Sequence, residues 1–306
     1  MVHDDDRIAV AASRALVVGG GSIGMRHQTV LRGLELDVAL VSRRPGVGDF
    51  TDEMKAISVH NPDYVVVATE AHDHPEALNR LAAAGYRGSV LVEKPVADRP
   101  IALQVDGFRR VGVGYNLRFH PAVDLLRQAL AKETVLSAQI RVGQHLSDWR
   151  PGRDYRETVT AGPSGGALLE LSHELDLLAW LTGPIEVERG WAIRTGSLDI
   201  ELDDLAICVF RLTDGGLASV EMNLLDRWPT RRMTVSTDIA IYEMDLLVGS
   251  LYRSGELVDC WSVDRNETFA AMHRAALSDG VGVCTVDEAI SVVQQVAELR
   301  DGGRDG

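Results

Sequence analysis

The sequence predicts an α/β protein with two domains. The amino-terminal one is built on a parallel sheet wound with helices, and the carboxy-terminal one is α+β with an open, mostly antiparallel sheet. Three observations predict this. Short, continuously apolar runs alternate with helical stretches over residues 1–120, as parallel strands buried on both faces do. Beyond "GVGYNLRFHP" the runs lengthen and several alternate apolar with polar residues, the mark of strands with one wet face. With 306 residues the chain is long enough for two cores, and the change of pattern sets a boundary that divides 1–120 from 121–306.

Taken in order, "MVHDDDRIAVAAS" is acidic where a secretory signal needs positive charge, so residues 1–12 are expected to be loosely ordered rather than a leader. "ALVVGG", "DVALVS", "YVVVAT" and "SVLVEK" are the parallel strands. "SIGMRHQTVLRGL" and "HPEALNRLAAAG" are helices between them, the second started by Asp73, His74 and Pro75 and ended near Gly85. In the second domain, "SGGALLELSHELDLLAWLTG" (164–183) reads as one helix. "VLSAQIRVGQHL", "IEVERGWAIRTG", "AICVFRLTDGGLASVEMNLL" and "RMTVSTDIAIYEMDLL" read as strands, with a hairpin turn at "TDGG". Two helices close the domain, "NETFAAMHRAALS" and "TVDEAISVVQQVAELR", the latter opened by Thr285 and Glu288 in capping-box spacing.

Bulk properties narrow the function. A net charge of −14 argues against general nucleic-acid binding. No run approaches the roughly 18 apolar residues of a membrane span. Cys208, Cys260 and Cys284 are scattered without a CxxC, which fits a reducing, cytoplasmic setting. No ligand spacing suggests a metal, and "HDH" at 72–74 is explained by the helix start.

Gly19-x-Gly21-x-x-Gly24, with Ser22 and Ile23 inside it, follows a strand and opens a helix. In that context the glycines permit a tight turn, close approach of a pyrophosphate and close helix–strand packing, while the helix amino terminus supplies donors to the anion. A dinucleotide is therefore expected. The second strand ends in Ser42, Arg43 and Arg44 with no carboxylate for a ribose 2′-hydroxyl. Guanidinium groups suit a 2′-phosphate, so the cofactor is NADP or NAD with the lean to NADP; an arginine stacked on adenine serves either.

"LVEKPV" places Glu93 and Lys94 at the carboxyl end of a parallel strand, where ligands of such sheets bind. A partly desolvated lysine there suits proton or charge work. On the 164–183 helix, Glu170, His173 and Asp176 lie about 60° apart in sequence geometry, and His173 also neighbours Leu169, Leu177 and Trp180. That is a polar group aimed into a partly closed site; a satisfied structural histidine is the plain alternative. The loop "QHLSDWRPGRDYRET" concentrates Trp149, Arg153, Tyr155 and Arg156, side chains that stack on sugar faces and grip anions, against the alternative of a solvated loop.

Five motifs in this order, "VVGGGSIGMRHQ", "VVVATEAHDHPEAL", "EKP", "GYNLRFHP" and "GGALLELSHELDLLAWLTG", resemble the Gfo/Idh/MocA oxidoreductases over nearly the whole chain. The resemblance implies a Rossmann domain, an open-sheet second domain, and NAD(P)-dependent oxidation or reduction of a carbinol in a sugar or cyclitol. It also implies a homodimer or homotetramer formed through the sheet. By position Lys94 and His173 match the family's catalytic lysine and histidine, His74 matches the histidine after a strand ending in Ala68-Thr69, and Asp176 closes the H-x-x-D of the helix. One departure stands out. Many members have Asp four residues before the histidine, whereas here Glu170 lies three before it, so either Glu170 or Asp176 is left to orient the imidazole.

The reaction implied has His173 take the hydroxyl proton while Lys94 stabilises charge on the same oxygen. Similarity to members in modified-sugar pathways favours a biosynthetic sugar, with nucleotide-activated, long-chain sugars among the options. Arg118 and His120 are expected at the domain junction, as substrate contacts or as hinge packing. The alternatives are a cyclitol or dihydrodiol dehydrogenase, a biliverdin-like, imine or double-bond reductase, and a non-catalytic dinucleotide sensor, which would not need Lys94 and His173.

Overall fold

The computed structural model describes residues 13–149 and 152–302, so the expectation for residues 1–12 lies outside the described residues. In chain order the first strands and helices are β1 (Arg14–Val18), α1 (Ser22–Gly33), β2 (Asp37–Val41), α2 (Glu53–His60), β3 (Tyr64–Val67), α3 (His74–Ala83), β4 (Ser89–Val92) and β5 (Arg110–Val113). Then follow α4 (Pro121–Leu130), β6 (Val135–Gly143), α5 (Ala167–Glu170), α6 (His173–Thr182), β7 (Ile185–Ile193), β8 (Leu205–Leu212) and β9 (Leu217–Asn223). The remainder comprises β10 (Thr230–Thr237), β11 (Ile241–Asp245), β12 (Ser250–Arg253), β13 (Glu256–Cys260), α7 (Glu267–Leu277), β14 (Cys284–Thr285) and α8 (Val286–Gly302). Two compact units result. Among the described residues the first holds 13–93, 103–114 and 265–285, the second 94–102, 115–149, 152–264 and 286–302.

Unit 1 is a six-stranded sheet in the order β14-β5-β4-β3-β1-β2. β1 to β5 are mutually parallel, and β14 joins antiparallel on β5. The order reverses at β1, which starts the chain between β3 and β2, and such a switch point is where open α/β sheets bind ligands. β3 is "YVVV" and buried throughout, because a central strand with helices on both faces has no wet side.

The helix "NETFAAMHRAALS", which the sequence reading assigns to the second domain, forms α7 in unit 1. Phe269, Met272, His273 and Ala276 of α7 are buried, and α7 packs against α1. Nothing local in the sequence distinguishes this helix from α8; only the long-range packing partner does.

Unit 2 is an eight-stranded sheet in the order β13-β12-β11-β10-β6-β9-β8-β7. All its pairings are antiparallel except β6 with β9. The β8–β9 hairpin turns on Thr213, Asp214, Gly215 and Gly216, with Gly215 at φ +85°, as the "TDGG" signal requires. One face, with Ala206, Cys208, Phe210, Val220 and Val235, is buried under α4, α6 and α8, which pack on strands or on one another. The other leaves Trp191, Ile193, Ile207, Leu217 and Ile241 exposed.

The single helix expected over 164–183 is interrupted. α5 stops at Glu170 and α6 restarts at His173, with Leu171 at φ −99°, ψ 21°. The Glu170 carbonyl accepts a bond from the Lys94 ammonium at 2.8 Å, while the amide of Glu174 turns to the Leu171 carbonyl at 3.2 Å. A side chain has replaced a rung of the helix, and such insertions break the ladder.

Candidate active site

The glycine turn of unit 1 is built from three different constraints. Gly19 has φ +119°, and an added Cβ there would collide with the Ala68 carbonyl oxygen. At Gly24 a Cβ would collide with the Gly19 carbonyl oxygen, so α1 comes too close to the turn for any side chain. Gly21 is the reverse case, for a Cβ would meet nothing within 4 Å. It is the amino-cap of α1, where no side chain caps the helix and the first turn carries no acidic residue. Ser22 is exposed and Ile23 half-buried in that turn. Uncapped donors facing open space fit a dinucleotide pyrophosphate.

At the end of β2, Ser42 is buried and its Oγ accepts from the Arg44 amide at 3.2 Å. Arg43 and Arg44 are exposed, and Arg43 approaches the Asp73 carboxylate at 3.8 Å. Thr69 is half-buried after β3, and its carbonyl contacts Nε2 of the buried His74 at 3.1 Å. Glu93 is buried and its Oε1 lies 2.8 Å from Nε2 of His27.

Unit 2 gathers the candidate chemical groups. Lys94 is half-buried and fixed on the Glu170 carbonyl. The His173 ring meets Tyr115 edge to face, centroids 5.5 Å apart, and its Nδ1 is buried without a hydrogen-bond partner among the described residues. Burial, then the charges of Lys94 and Arg231, hold the His173 pKa well below its ordinary value. The imidazole is therefore neutral and can accept a proton. Next in sequence, Glu174 is buried and pairs with Arg231 at 2.8 Å; burial raises its pKa, opposed by the charges of Arg231 and Lys94.

Neither carboxylate considered for orienting His173 hydrogen-bonds it. The break after Glu170 takes that residue out of ideal helical register with His173. Asp176 is buried and engaged by Arg118, whose Nη2 lies 2.6 Å from one oxygen and whose Nε lies 3.0 Å from the other. The same contacts describe Arg118, expected as a substrate contact or as hinge packing. It is 4% exposed, reaches Glu288 at 3.3 Å and lies over the Trp180 ring at 4.3 Å. These contacts hold the guanidinium against Asp176, Glu288 and Trp180. His120 is likewise buried, and its Nδ1 accepts from the Ala122 amide at 3.2 Å as the amino-cap of α4, with its pKa lowered by burial.

The loop residues do not converge as a set. Arg156 is committed to Asp154 by paired bonds of 2.5 and 2.9 Å, which hold the Asp154 pKa down to about 2. The Tyr155 hydroxyl accepts from the Asp199 amide at 3.1 Å, and exposed Arg153 donates to the Glu157 carbonyl at 3.3 Å. Half-buried Trp149 keeps a buried indole nitrogen without a partner among the described residues. Glu174, Arg231 and Tyr115 also lie around His173 and were not among the expected site residues. Glu174 stands in "ELSHELD", and a carboxylate inside an apolar helix demands a cation, but Arg231 lies 57 residues away. Among the described residues no group of three or more His, Cys, Asp and Glu side chains is placed to hold a metal. A cleft of about 370 Å³ lined by Asp63, Arg87 and Arg109 opens at the amino ends of the unit 1 strands, the edge opposite that on which such sheets bind ligands.

A dinucleotide turn on a Rossmann sheet and an open-sheet second unit define a class, the dinucleotide-dependent oxidoreductases. The chain belongs to the GFO/IDH/MocA family: residues 13–105 match its NAD-binding Rossmann fold and residues 133–243 its C-terminal domain. Inositol 2-dehydrogenase 2 of Paenarthrobacter aurescens (strain TC1) is 28% identical over 241 residues, covering 69% of this chain and 68% of that protein. Among solved structures, UDP-N-acetylglucosamine 3-dehydrogenase GnnA from Acidithiobacillus ferrooxidans superposes with a TM-score of 0.75 at 20% identity, covering 95% of this chain and 97% of that one. The WlbA dehydrogenase from Bordetella pertussis, solved with NADH and UDP-GlcNAcA, gives 0.76 at 19% identity, covering 96% and 97%. Among the described residues no helix is long and apolar enough to cross a membrane.

Proposed function

We propose that this oxidoreductase interconverts a carbinol and a ketone on a sugar, using NADP or NAD. A bound nicotinamide supplies the hydride acceptor or donor. The chain's own residues handle the proton and the charge. Neutral His173 accepts the hydroxyl proton in oxidation and returns it in reduction. Lys94, tethered to the Glu170 carbonyl, donates a hydrogen bond to the substrate oxygen and stabilises its developing negative charge. The Glu174–Arg231 pair places a second cation close to His173 and keeps it neutral. The observation that carries this reading is the joint state of the two groups: an ammonium held in place by a backbone carbonyl, and a neutral imidazole with an unpartnered buried nitrogen.

The names of the relatives support a sugar or cyclitol substrate, and the UDP-sugars named with two of the structures support a nucleotide-activated one. Trp149, with exposed Arg153 nearby in sequence, is the best remaining candidate to meet it. Exposed Arg43 and Arg44, with no carboxylate ending β2, favour NADP. The exposed apolar face of the unit 2 sheet supports a homo-oligomer formed there, and three free cysteines support a cytoplasmic setting.

The test is cofactor reduction, followed by near-ultraviolet absorbance, with UDP-N-acetylhexosamines and with free inositol. His173→Ala is expected to lower kcat by about 10²–10⁴, and Lys94→Met by about 10²–10³, with cofactor affinity nearly unchanged. Full turnover by His173→Ala rejects the assignment. Cofactor binding without turnover on any sugar or cyclitol returns the protein to the class of dinucleotide sensors.

A further inference from the structure

Four polar side chains lie in the interior of unit 1, contributed by β3, α1, α7 and the end of β4. Tyr64, His27 and His273 are at most 1% exposed and Glu93 is 6% exposed. They form a continuous series. The Tyr64 hydroxyl is 3.0 Å from Nδ1 of His273, Nε2 of His273 is 2.8 Å from Nδ1 of His27, and Nε2 of His27 is 2.8 Å from Oε1 of Glu93.

The chemistry of the two ends fixes the sense of every bond between them. A carboxylate only accepts, so His27 must carry its proton on Nε2 and offer a lone pair at Nδ1. Burial, with the charges of Tyr86 and Glu93 adding to it, keeps Tyr64 a neutral phenol. Its hydroxyl has no other partner among the described residues, and a buried donor left unmade costs about 1–3 kcal/mol. It therefore donates to Nδ1 of His273, which carries its own proton on Nε2. The two requirements meet consistently at the His273–His27 bond. Burial holds His273 neutral, as this arrangement needs.

We propose that Tyr64, His273 and His27 form a one-way chain of donors that fixes the Glu93 carboxylate, and with it the backbone continuing into Lys94, with His27 and His273 as positioning residues. Glu93 is also hemmed in by the chain beside it. A Cβ on Gly114 would come within 2.8 Å of Oε1, and the Glu93 amide donates to the Val67 carbonyl at 2.8 Å. The next peptide unit leads to Lys94. Fixing Glu93 thus fixes the backbone from which the lysine departs, and misplacement of about 1 Å at a reacting centre costs on the order of 10²-fold.

This role rests on the proposed dehydrogenase reading, and two measurements separate their failures. In protein labelled with ¹⁵N-histidine, both His27 and His273 should show protonated Nε2 and unprotonated Nδ1 at neutral pH. The opposite tautomer, or a doubly protonated ring, at either residue overturns the chain whatever the enzyme does. Kinetically, His27→Leu should lower kcat about tenfold with cofactor Kd within about threefold. His27→Gln, whose amide can still donate to Glu93, should recover most of that loss. Wild-type kcat in His27→Leu, or equal losses in both variants, overturns the positioning role, because a purely structural residue lowers melting temperature without this split. Should His27→Leu not fold, Tyr64→Phe is read in the same way, with a fall in kcat expected. Loss of the reading itself shows differently, as undiminished turnover in Lys94→Met.

Discussion

In the proposed mechanism His173 works as a base only while neutral, and its surroundings set how far into acid that lasts. Its folded pKa is depressed by burial and by two nearby cations, so the neutral fraction persists below the ordinary value of about 6.5. The acid limb of kcat/KM for carbinol oxidation is accordingly expected below the ordinary histidine value of about 6.5; a limb at or above that value contradicts the environment. Removing one cation should move it. Arg231→Met is expected to shift the limb upward and, by leaving Glu174 buried and unpaired, to cost about 3 kcal/mol in denaturant unfolding. Lys94 and His173 stand out as candidates in the sequence because each lies in a local motif. The partner of Arg118 was not legible, since Asp176 is 58 residues away and an arginine in a sequence shows no sign of the carboxylate it will meet.

Among elements, the glycine turn and α1 give the sharpest contrast. Gly21→Ala places a methyl where nothing lies within 4 Å, whereas Gly24→Ala drives one into the Gly19 carbonyl oxygen. Gly21→Ala is therefore expected to keep the melting temperature and weaken cofactor binding, and Gly24→Ala to lower both, as read by thermal unfolding and cofactor fluorescence titration. Unchanged cofactor affinity in Gly21→Ala contradicts the anion site. The strand–turn–helix was legible because period and punctuation are local. The break between α5 and α6 was not, because apolar periodicity runs straight through it. What interrupts the ladder is Lys94, 76 residues earlier.

For the whole molecule, half-buried His173 and fully buried His273 are both held neutral when folded. The unfolded chain binds protons at both once pH falls below about 6.5, while the folded chain does not, so stability falls with acid by about 1.4 kcal/mol per pH unit for each. Urea unfolding at pH 7 and pH 5.5 measures the slope; equal stability at the two values rejects it. Ile207→Asp, on the exposed sheet face, is expected to turn the proposed homo-oligomer into a monomer by size-exclusion chromatography. The two-domain class was legible, but the division was not one cut near residue 120. Residues 265–285 return to unit 1, and no composition change announces that return.

That return bears on synthesis. A ribosome delivers β1 to β5 early, yet α7 and β14 emerge only after residue 264 has been made. Until then His27 and Tyr64 have no His273 to meet and the β5 edge lacks its last neighbour. The nascent cofactor domain must wait for α7 and β14, so its maturation is coupled to translation of the second domain that precedes them.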